Sequence, residues 1–178
     1  KYDGNQYHQY YCVDDSLGLP DNNITHIYRD SHNRLWVATV NGVCLYQANG
    51  NFKRVSINGN NKNIEKIQED KEGRIFFLTM TDLYQYDENT NTAITRLSKM
   101  VEKNCYNFSC HIDRKDVMWI VTSYSVKGYR TRDLKLIVQS PVQSYPITSF
   151  LLDGHQLYIS GYNGMQLFDT DTRKWQQL

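Results

Sequence analysis

Histidine and cysteine, the side chains that most often bind metals, are scattered through this chain of 178 residues. Cys105 and Cys110 are five residues apart and would point to opposite faces of an extended strand, while Cys12 and Cys44 have no CxxC partner. We therefore expect no metal site and no cofactor. Free buried thiols are the expected state, and a disulfide stays open because sequence alone cannot pair cysteines. The histidines form neither HxxxH nor HExxH, and they are His8, His26, His32, His111 and His155.

Carboxylates are the next candidates for chemistry. Glycoside hydrolysis needs two of them facing one sugar, but the available pairs, Asp14-Asp15 and Glu69-Asp70, fall in turns or at strand ends. No serine or cysteine stands in a nucleophile-elbow motif. We expect no enzymatic activity in this chain.

The charge balance excludes two classes of partner. Twenty basic residues face 19 acidic ones, so no basic excess is available for a phosphate backbone. No apolar run approaches the roughly 20 residues that a membrane-spanning helix needs. We therefore expect no nucleic acid contact and no membrane insertion by this segment.

Four residue types recur in a fixed frame along the chain. An acidic residue is followed after six residues by an aromatic, after nine by threonine and after 16 by tyrosine; the steps from Asp30 to Asp70, Asp113 and Asp153 are 40, 43 and 40 residues. The fourth unit has a shorter turn, so Tyr158 and Phe168 take the aromatic places. The three complete frames are Asp30, Trp36, Thr39, Tyr46; Asp70, Phe76, Thr79, Tyr86; and Asp113, Trp119, Thr122, Tyr129.

Each unit can be divided into four strands separated by turn residues. In the first unit these are 24–30, 35–39, 43–46 and 52–55. The second strand is continuously apolar in every unit, as in 75–78, which indicates burial on both faces. Repeats of about 40 residues with four strands are typical of propeller blades. The fold class is therefore predicted as all-β: a β-propeller segment of about four four-stranded antiparallel blades, cut from a larger propeller.

The whole of 1–178 is predicted to be one propeller segment. Residues 7–11 and 175–178 both fit an outer strand, so two end faces would be uncovered. The predicted parts are an outer strand of a preceding blade with its connector over 1–23, and blades over 24–63, 64–106, 107–146 and 147–178.

The recurrent aspartate has a structural explanation. At a strand end its carboxylate can accept hydrogen bonds from the backbone of the next turn. Asn33 and Gly73, three residues later, suit the positive φ that such a turn requires. We therefore expect a turn-stabilising role without catalysis for Asp30, Asp70, Asp113 and Asp153.

The loops after the second strands contain amide, hydroxyl and phenol groups. Amides bind sugar hydroxyls and aromatic faces cover the apolar side of a pyranose, although ordinary polar turns explain the same residues. The candidate ligand contacts are Asn41, Thr81, Tyr124, Tyr162 and Asn163.

The first unit resembles the two-component regulator propeller repeat. The resemblance is carried by 18–24, Ile27, Asp30, 34–39, Gly42-Val43 and Leu45-Tyr46. Later units depart from it, with Asp82 and Ser125 where glycine is usual. The resemblance covers nearly the whole chain and is strongest in the first unit.

This resemblance implies a segment of a seven-bladed propeller in the periplasmic sensor region of a hybrid two-component system receptor. Such a segment would sense a carbohydrate, or relay its signal, to a histidine kinase elsewhere in the parent protein. The implied partners are the remaining blades and domains of the parent, a second receptor chain in a homodimer, and an oligosaccharide. The alternative is a structural or protein-interaction propeller without a small-molecule ligand.

Overall fold

The computed structural model describes residues 2, 4–12, 17–58, 62–100, 108–140, 145–162 and 164–178. Regular structure in these ranges consists of strands, which we number β1 to β17 in chain order. No helix in the described ranges is long and apolar enough to cross a membrane.

The first half of the chain forms two sheets. Sheet 1 has the order β1-β2-β3-β4, and sheet 2 has the order β5-β9-β8-β7-β6. The strands of sheet 1 are β1 (Ile24–Arg29), β2 (Leu35–Thr39), β3 (Gly42–Tyr46) and β4 (Phe52–Arg54). Those of sheet 2 are β5 (Ser56–Ile57), β6 (Lys66–Glu69), β7 (Ile75–Leu78), β8 (Leu83–Asp87) and β9 (Thr92–Leu97).

The second half forms two more sheets, sheet 3 and sheet 4, each with its four strands in sequence order and antiparallel. The strands of sheet 3 are β10 (Phe108–Ile112), β11 (Val117–Thr122), β12 (Val126–Arg130) and β13 (Lys135–Gln139). Those of sheet 4 are β14 (Ile147–Asp153), β15 (Gln156–Gly161), β16 (Gly164–Asp169) and β17 (Lys174–Gln177).

These sheets confirm the predicted all-β propeller segment, with one correction in sheet 2. That sheet has a fifth strand, β5, which pairs in parallel with β9 through Ser56 opposite Thr92. The Asn91 side-chain amide donates to the Arg54 carbonyl at 2.9 Å and so holds the chain before β5 against the start of β9. The chain leaving sheet 1 thus covers the outer edge of sheet 2, an edge that would otherwise have unpaired backbone groups.

The chain divides into two compact units, each with its own core. Unit 1 contains Lys1–Ile67 and Gly73–Arg96, and unit 2 contains Gln68–Glu72 and Leu97–Leu178. The exact limits of the individual blades stay a prediction.

The core of unit 1 lies between sheets 1 and 2. The Trp36 ring is fully buried, with its centroid 5.5 Å from that of Phe77 and 4.9 Å from that of Tyr86. Ala38 from sheet 1 and Ile67 from sheet 2 complete the contact. Large aromatic side chains from both sheets therefore pack together at this junction.

Unit 2 repeats this arrangement between sheets 3 and 4. Trp119 packs edge-on against Phe168 at a centroid distance of 5.6 Å, and Phe168 contacts Trp175 at 4.6 Å. Val121 and Ile159 are buried beside them. The recurrent aromatic of one sheet thus packs against the sheet that follows it.

Burial along the second strands agrees with the prediction in three sheets but not in the fourth. Every side chain of β7 is buried, and β2 and β11 are buried except at their first residues. In β15, Leu157 and Ile159 are buried while Tyr158, on the other face, is half-buried. Only the Leu157 face of β15 meets a neighbouring sheet among the described residues, as expected for a sheet at one of the two end faces of the segment.

The N-terminal residues differ from the sequence prediction. Residues 7–11 do not form the expected outer strand; the described residues of 1–23 show only isolated bridges, Tyr2 with Tyr7 and Cys12 with Leu19. Tyr10 nevertheless packs against Phe52 at 5.4 Å. Leu19 and Tyr10 join a cluster on the second face of sheet 1, so the chain's own residues partly cover a face expected to be open.

Candidate functional site

The turn between the first and second strands is organised by the recurrent aspartate. Asp30 is 5% exposed, and its Oδ1 accepts from the backbone N–H groups of His32 and Arg34 at 3.1 and 2.8 Å. Its Oδ2 accepts from Arg34 Nε at 2.6 Å and from Trp36 Nε1 at 2.8 Å. One carboxylate therefore holds the turn and the core tryptophan together.

Burial alone would raise the pKa of the Asp30 carboxyl. The hydrogen bonds from Trp36 and Arg34, together with the charge of Arg34, outweigh burial and lower the pKa below its ordinary value. A carboxylate that stays ionised and is occupied by four donors is unsuited to proton transfer.

Asp113 repeats the arrangement, and Asp70 repeats part of it. Asp113 Oδ1 accepts from the backbone of Lys115 and Val117, and its Oδ2 accepts from Trp119 Nε1 at 2.8 Å. Asp70 accepts from the Glu72 backbone at 3.1 Å, while Phe76 replaces the tryptophan and has no N–H to offer. The predicted positive φ is confirmed at Asn33 (64°) and at Gly73 (76°).

Asp153 does not share this geometry. It is exposed and lies opposite Gln156 across a two-residue turn, with Gly154 at a φ of 61°. The shorter turn of the fourth unit removes the residues whose backbone N–H groups would meet the carboxylate. The chain reversal at this turn depends on Gly154 instead.

The recurrent threonine organises the other end of the second strand, a role that the sequence reading did not assign. Thr39 Oγ1 donates to the Gly42 carbonyl at 3.0 Å and accepts from Asn41 N–H at 3.1 Å. Thr79 and Thr122 make the same pattern in sheets 2 and 3. The recurrence of threonine in the frame was the signal for this second turn.

Gly161 takes the threonine place in sheet 4. A Cβ at this position would lie 2.5 Å from the Pro146 carbonyl oxygen, so a larger residue would displace backbone. Gly161 pairs with Gly164 and closes a two-residue hairpin. The loop that carries Tyr162 is therefore built differently from its three counterparts.

The four predicted ligand contacts that the structure describes lie in these loops, two in each compact unit. Asn41 and Thr81 are exposed loop residues of unit 1, and the Thr81 hydroxyl donates to the Asp82 carboxylate at 2.8 Å. In unit 2, Tyr124 is half-buried and Tyr162 is 79% exposed. Asn163 lies outside the described residues. Within each unit, no hydrogen bond or ring contact joins the two described side chains.

A further exposed aromatic, Tyr145, borders the same cleft as Gly161 and was not among the predicted contacts. Tyr145 is 51% exposed, and with Pro146, Gly161 and Gly164 it borders a cleft of about 20 Å³. That volume admits a water molecule but no sugar ring. The Tyr-Pro pair entering the fourth unit was the sequence signal.

The thiols and the acidic residues do not form a reactive centre in the described ranges. No group of three or more His, Cys, Asp or Glu side chains there is placed to hold a metal ion. Burial raises the pKa of the Cys44 thiol to about 12, against a smaller opposing effect of Arg54, so the thiol stays protonated. No disulfide involves Cys12, Cys44 or Cys110, and Cys105 lies outside the described residues.

The comparisons with solved structures establish the class of protein, a β-propeller. The extracellular domains of the hybrid two-component systems BT4673 and BT3049 of B. thetaiotaomicron align over 94% and 95% of this chain, with TM-scores of 0.55 and 0.68 and 18% identity each. Virginiamycin B lyase from Staphylococcus aureus aligns over 91%, with a TM-score of 0.70 and 13% identity. At these identities the likeness establishes the fold and not the activity.

A family model matches part of the first unit. Residues 18–41 match the two component regulator propeller family, which confirms the resemblance predicted from the first unit. No curated protein sequence matches the chain. The chain spans about a third or less of the two sensor domains, 31% and 23%, and 57% of the lyase.

Proposed function

We propose that this chain is part of the periplasmic sensor region of a hybrid two-component system receptor, where it senses or relays a carbohydrate signal. The observation that carries the proposal is the regulator-propeller match of residues 18–41. Two solved structures with the same fold are extracellular domains of hybrid two-component systems, which supports the same reading.

In this proposal the chain is not an enzyme. The recurrent carboxylates Asp30 and Asp113 are occupied by turn and indole donors, which leaves them no role in proton transfer. The kinase activity belongs to a part of the parent protein outside this segment. Ligand binding shifts the arrangement of two receptor chains in a homodimer, and that shift reaches the kinase.

The proposed ligand contacts lie, in each unit separately, in the loops between the second and third strands and, in unit 2, also at Tyr145 in the segment that enters sheet 4. Tyr162 and Tyr145 present exposed rings on which the apolar face of a sugar can lie, and Asn41 presents an exposed amide. The cleft beside Tyr145 is too small for a sugar ring, so a multivalent, surface-bound oligosaccharide fits better than a buried monosaccharide.

The test is calorimetric titration of the complete periplasmic region with a panel of host and plant oligosaccharides. For an oligosaccharide that binds, Tyr162→Ala and Asn41→Ala should each weaken affinity about tenfold, equivalent to about 1.4 kcal/mol. His32→Ala is the matched control, since His32 is exposed on the turn at the opposite end of β2 from Asn41.

Two outcomes would contradict the proposal. Binding of no member of the panel, together with intact signalling in cells carrying Tyr124→Ala and Tyr162→Ala, would leave a structural or protein-interaction propeller. Equal losses for His32→Ala and Asn41→Ala would show that the loops are not the contact surface.

A further inference from the structure

A groove lies between the first strands of sheets 3 and 4, β10 and β14, and belongs entirely to unit 2. Its volume is about 280 Å³, and none of the described residues that line it is charged. The lining residues that matter here are four with hydroxyl groups, Ser109, Thr122, Thr148 and Ser149, and two apolar ones, Ile147 and Phe150.

The corresponding place in unit 1 is filled by a side chain. His26 is paired with Ala38, two residues beyond Trp36. Its Nδ1 accepts from the Ile67 backbone N–H at 3.2 Å. The imidazole ring therefore joins β1 to β6, the first strands of sheets 1 and 2.

Unit 2 has a serine where unit 1 has this histidine. Ser109 is paired with Val121, two residues beyond Trp119, so it takes the place of His26. Phe150 precedes the recurrent aspartate of its unit by three residues, as Ile67 does in sheet 2. A serine side chain has no ring to bridge the two strands, and Ser109 and Phe150 both border the groove.

The Phe150 backbone N–H points to the side of β14 on which the groove lies. Alternate pairs of an antiparallel ladder exchange hydrogen bonds, and the pair that flanks a two-residue turn, here Asp153 with Gln156, is one of them. Phe150 and Ile159 form a pair that does not exchange them, so this N–H is directed away from β15. In unit 1 the equivalent N–H donates to His26, whereas no side chain among the described residues accepts from Phe150.

The polar groups and the size of the groove define the chemistry of a ligand. A charged ligand is disfavoured because the lining has no opposite charge to offset its desolvation. A purely apolar ligand would leave the Ser109 hydroxyl and the Phe150 N–H unpaired. The volume lies near the lower end of the range of about 300–1,000 Å³ that is typical of ligand sites, which suits a single small ring.

We propose that this groove binds one neutral sugar residue of a carbohydrate ligand. The Phe150 N–H and the Ser109 hydroxyl bond to its hydroxyl groups, and the apolar side of the ring lies against Ile147. The Thr148 hydroxyl donates to the Ser160 carbonyl at 3.3 Å, and its oxygen accepts from the sugar. The ligand class rests on the proposed function, but the groove includes none of the loop residues proposed above as contacts.

Filling the groove tests the site. Ser109→His places in unit 2 the side chain that joins the first strands in unit 1, and Ser109→Ala removes the hydroxyl without filling the space. The complete periplasmic region is titrated by calorimetry with glucose, galactose, mannose and xylose. For a sugar that binds, we expect Ser109→His to weaken affinity at least tenfold and Ser109→Ala severalfold. Ser31→His, at an exposed serine on the first turn of sheet 1, is the matched control and should bind like the parent.

Hydrogen exchange locates the bound sugar. Mass spectrometry of the peptide that covers 147–153 should show severalfold slower exchange when the sugar is present, because the Phe150 N–H then has an acceptor. Ser109→His should slow the same exchange without sugar, since its ring can accept from that N–H. This second effect distinguishes a filled groove from a misfolded variant.

Two results would overturn the sugar site. Binding of none of the four monosaccharides at tens of millimolar would mean that the groove holds water only. Equal affinity of the parent and Ser109→His, without protection of 147–153, would place the sugar elsewhere. Neither result decides the proposed function, which depends on the oligosaccharide titration and on the Tyr162→Ala and Asn41→Ala variants.

Discussion

The carboxylate of Asp30 binds four donors, and one of them is the indole N–H of a fully buried tryptophan. This contact ties a surface turn to the aromatic core between two sheets. Asp113 has the same contact, whereas Phe76 replaces the tryptophan in the unit of Asp70 and Asp153 is exposed. The four aspartates therefore occupy one sequence position but differ in what they stabilise.

Asp30→Asn should lower the free energy of unfolding by about 0.5–2 kcal/mol, because an amide places a donor where Oδ2 now accepts. Asp153→Asn is the matched control and should change it by less than about 0.5 kcal/mol. Urea unfolding of the two variants measures the difference. Equal losses would show that the buried hydrogen bonds of Asp30 contribute nothing beyond the surface turn.

His26 links the inner strands of sheets 1 and 2. Its Nδ1 accepts from the Ile67 backbone N–H at 3.2 Å, and its ring stacks on Tyr28 at 6.3 Å. Burial, and then the charge of Lys66, lower the pKa of His26 below its ordinary value of 6.5. Protonation would remove the acceptor, so the folded state favours neutral imidazole.

The sign of the pH effect follows. A lowered pKa in the folded state means that the unfolded chain binds the proton more tightly, so this stabilisation is present above about pH 6.5 and is lost as the pH falls through the lowered value. The melting temperature should therefore drop between about pH 7.5 and about pH 5.5. His26→Asn keeps an acceptor but cannot titrate, and it should show a smaller drop. An equal drop in both proteins would rule out His26 as the source.

Residue types were a good guide where the chemistry is local. Asn33 and Gly73 were expected at positive φ, and both have it, because few other residues tolerate that backbone. The ligand loops were less predictable. Whether Asn41 and Tyr162 contact one ligand depends on how loops far apart in the sequence are arranged in space. The spacing of the repeats does not give that arrangement.

At the level of elements, the end of the second strand is built in two ways. A threonine hydroxyl closes the loop in sheets 1 to 3, and a glycine hairpin closes it in sheet 4. The hairpin leaves no room at Gly161, because the Pro146 carbonyl approaches the place where a side chain would begin.

Gly161→Ala should destabilise the protein by about 1–3 kcal/mol, since the added methyl group meets backbone that can move only with the strand. Gly154→Asn is the control: Gly154 has open space around it, and asparagine tolerates its φ of 61°. Thermal unfolding of both variants gives the comparison. If Gly161→Ala melts like the control, the approach of Pro146 does not restrict this position.

The parallel strand β5 shows what the repeat could not reveal. Each unit was read as four strands because the frame marks four apolar segments, and Ser56-Ile57 carries no such pattern of its own. Its pairing is set by the exposed edge of β9 and by the positive φ of Asn91 (52°), whose side chain holds the Arg54 carbonyl. Pairing between sheets was therefore beyond the reach of strand periodicity.

For the whole molecule, the repeat predicted the fold class and most strand positions, because covering one sheet with the next imposes the same apolar spacing each time. The repeat did not predict which residues cover the second face of sheet 1. The second face of sheet 1 is partly covered by Tyr10 and Leu19, although residues 7–11 form no strand. Irregular segments bury apolar area without periodicity, so periodicity gives no sign of them.

The far-ultraviolet circular dichroism of the chain should be that of a β protein. The regular structure of the described residues consists of strands, so we expect no helical double minimum. The measurement is made on the same preparation that is used for the unfolding experiments. A spectrum that requires a helix of three turns would contradict the propeller assignment.

The parallel strand has a consequence for synthesis on the ribosome. Ser56 pairs with Thr92, which is translated 36 residues later. At about 5–20 residues per second, the segment that completes the outer edge of sheet 2 waits about 2–7 s for its partner. Sheet 1 can form during that interval. In sheet 2, by contrast, the edge strand β5 is synthesised before the other four strands and can pair only after β9 has been made. A pause in translation between these positions would prolong the exposure of β5, and a faster ribosome would shorten it.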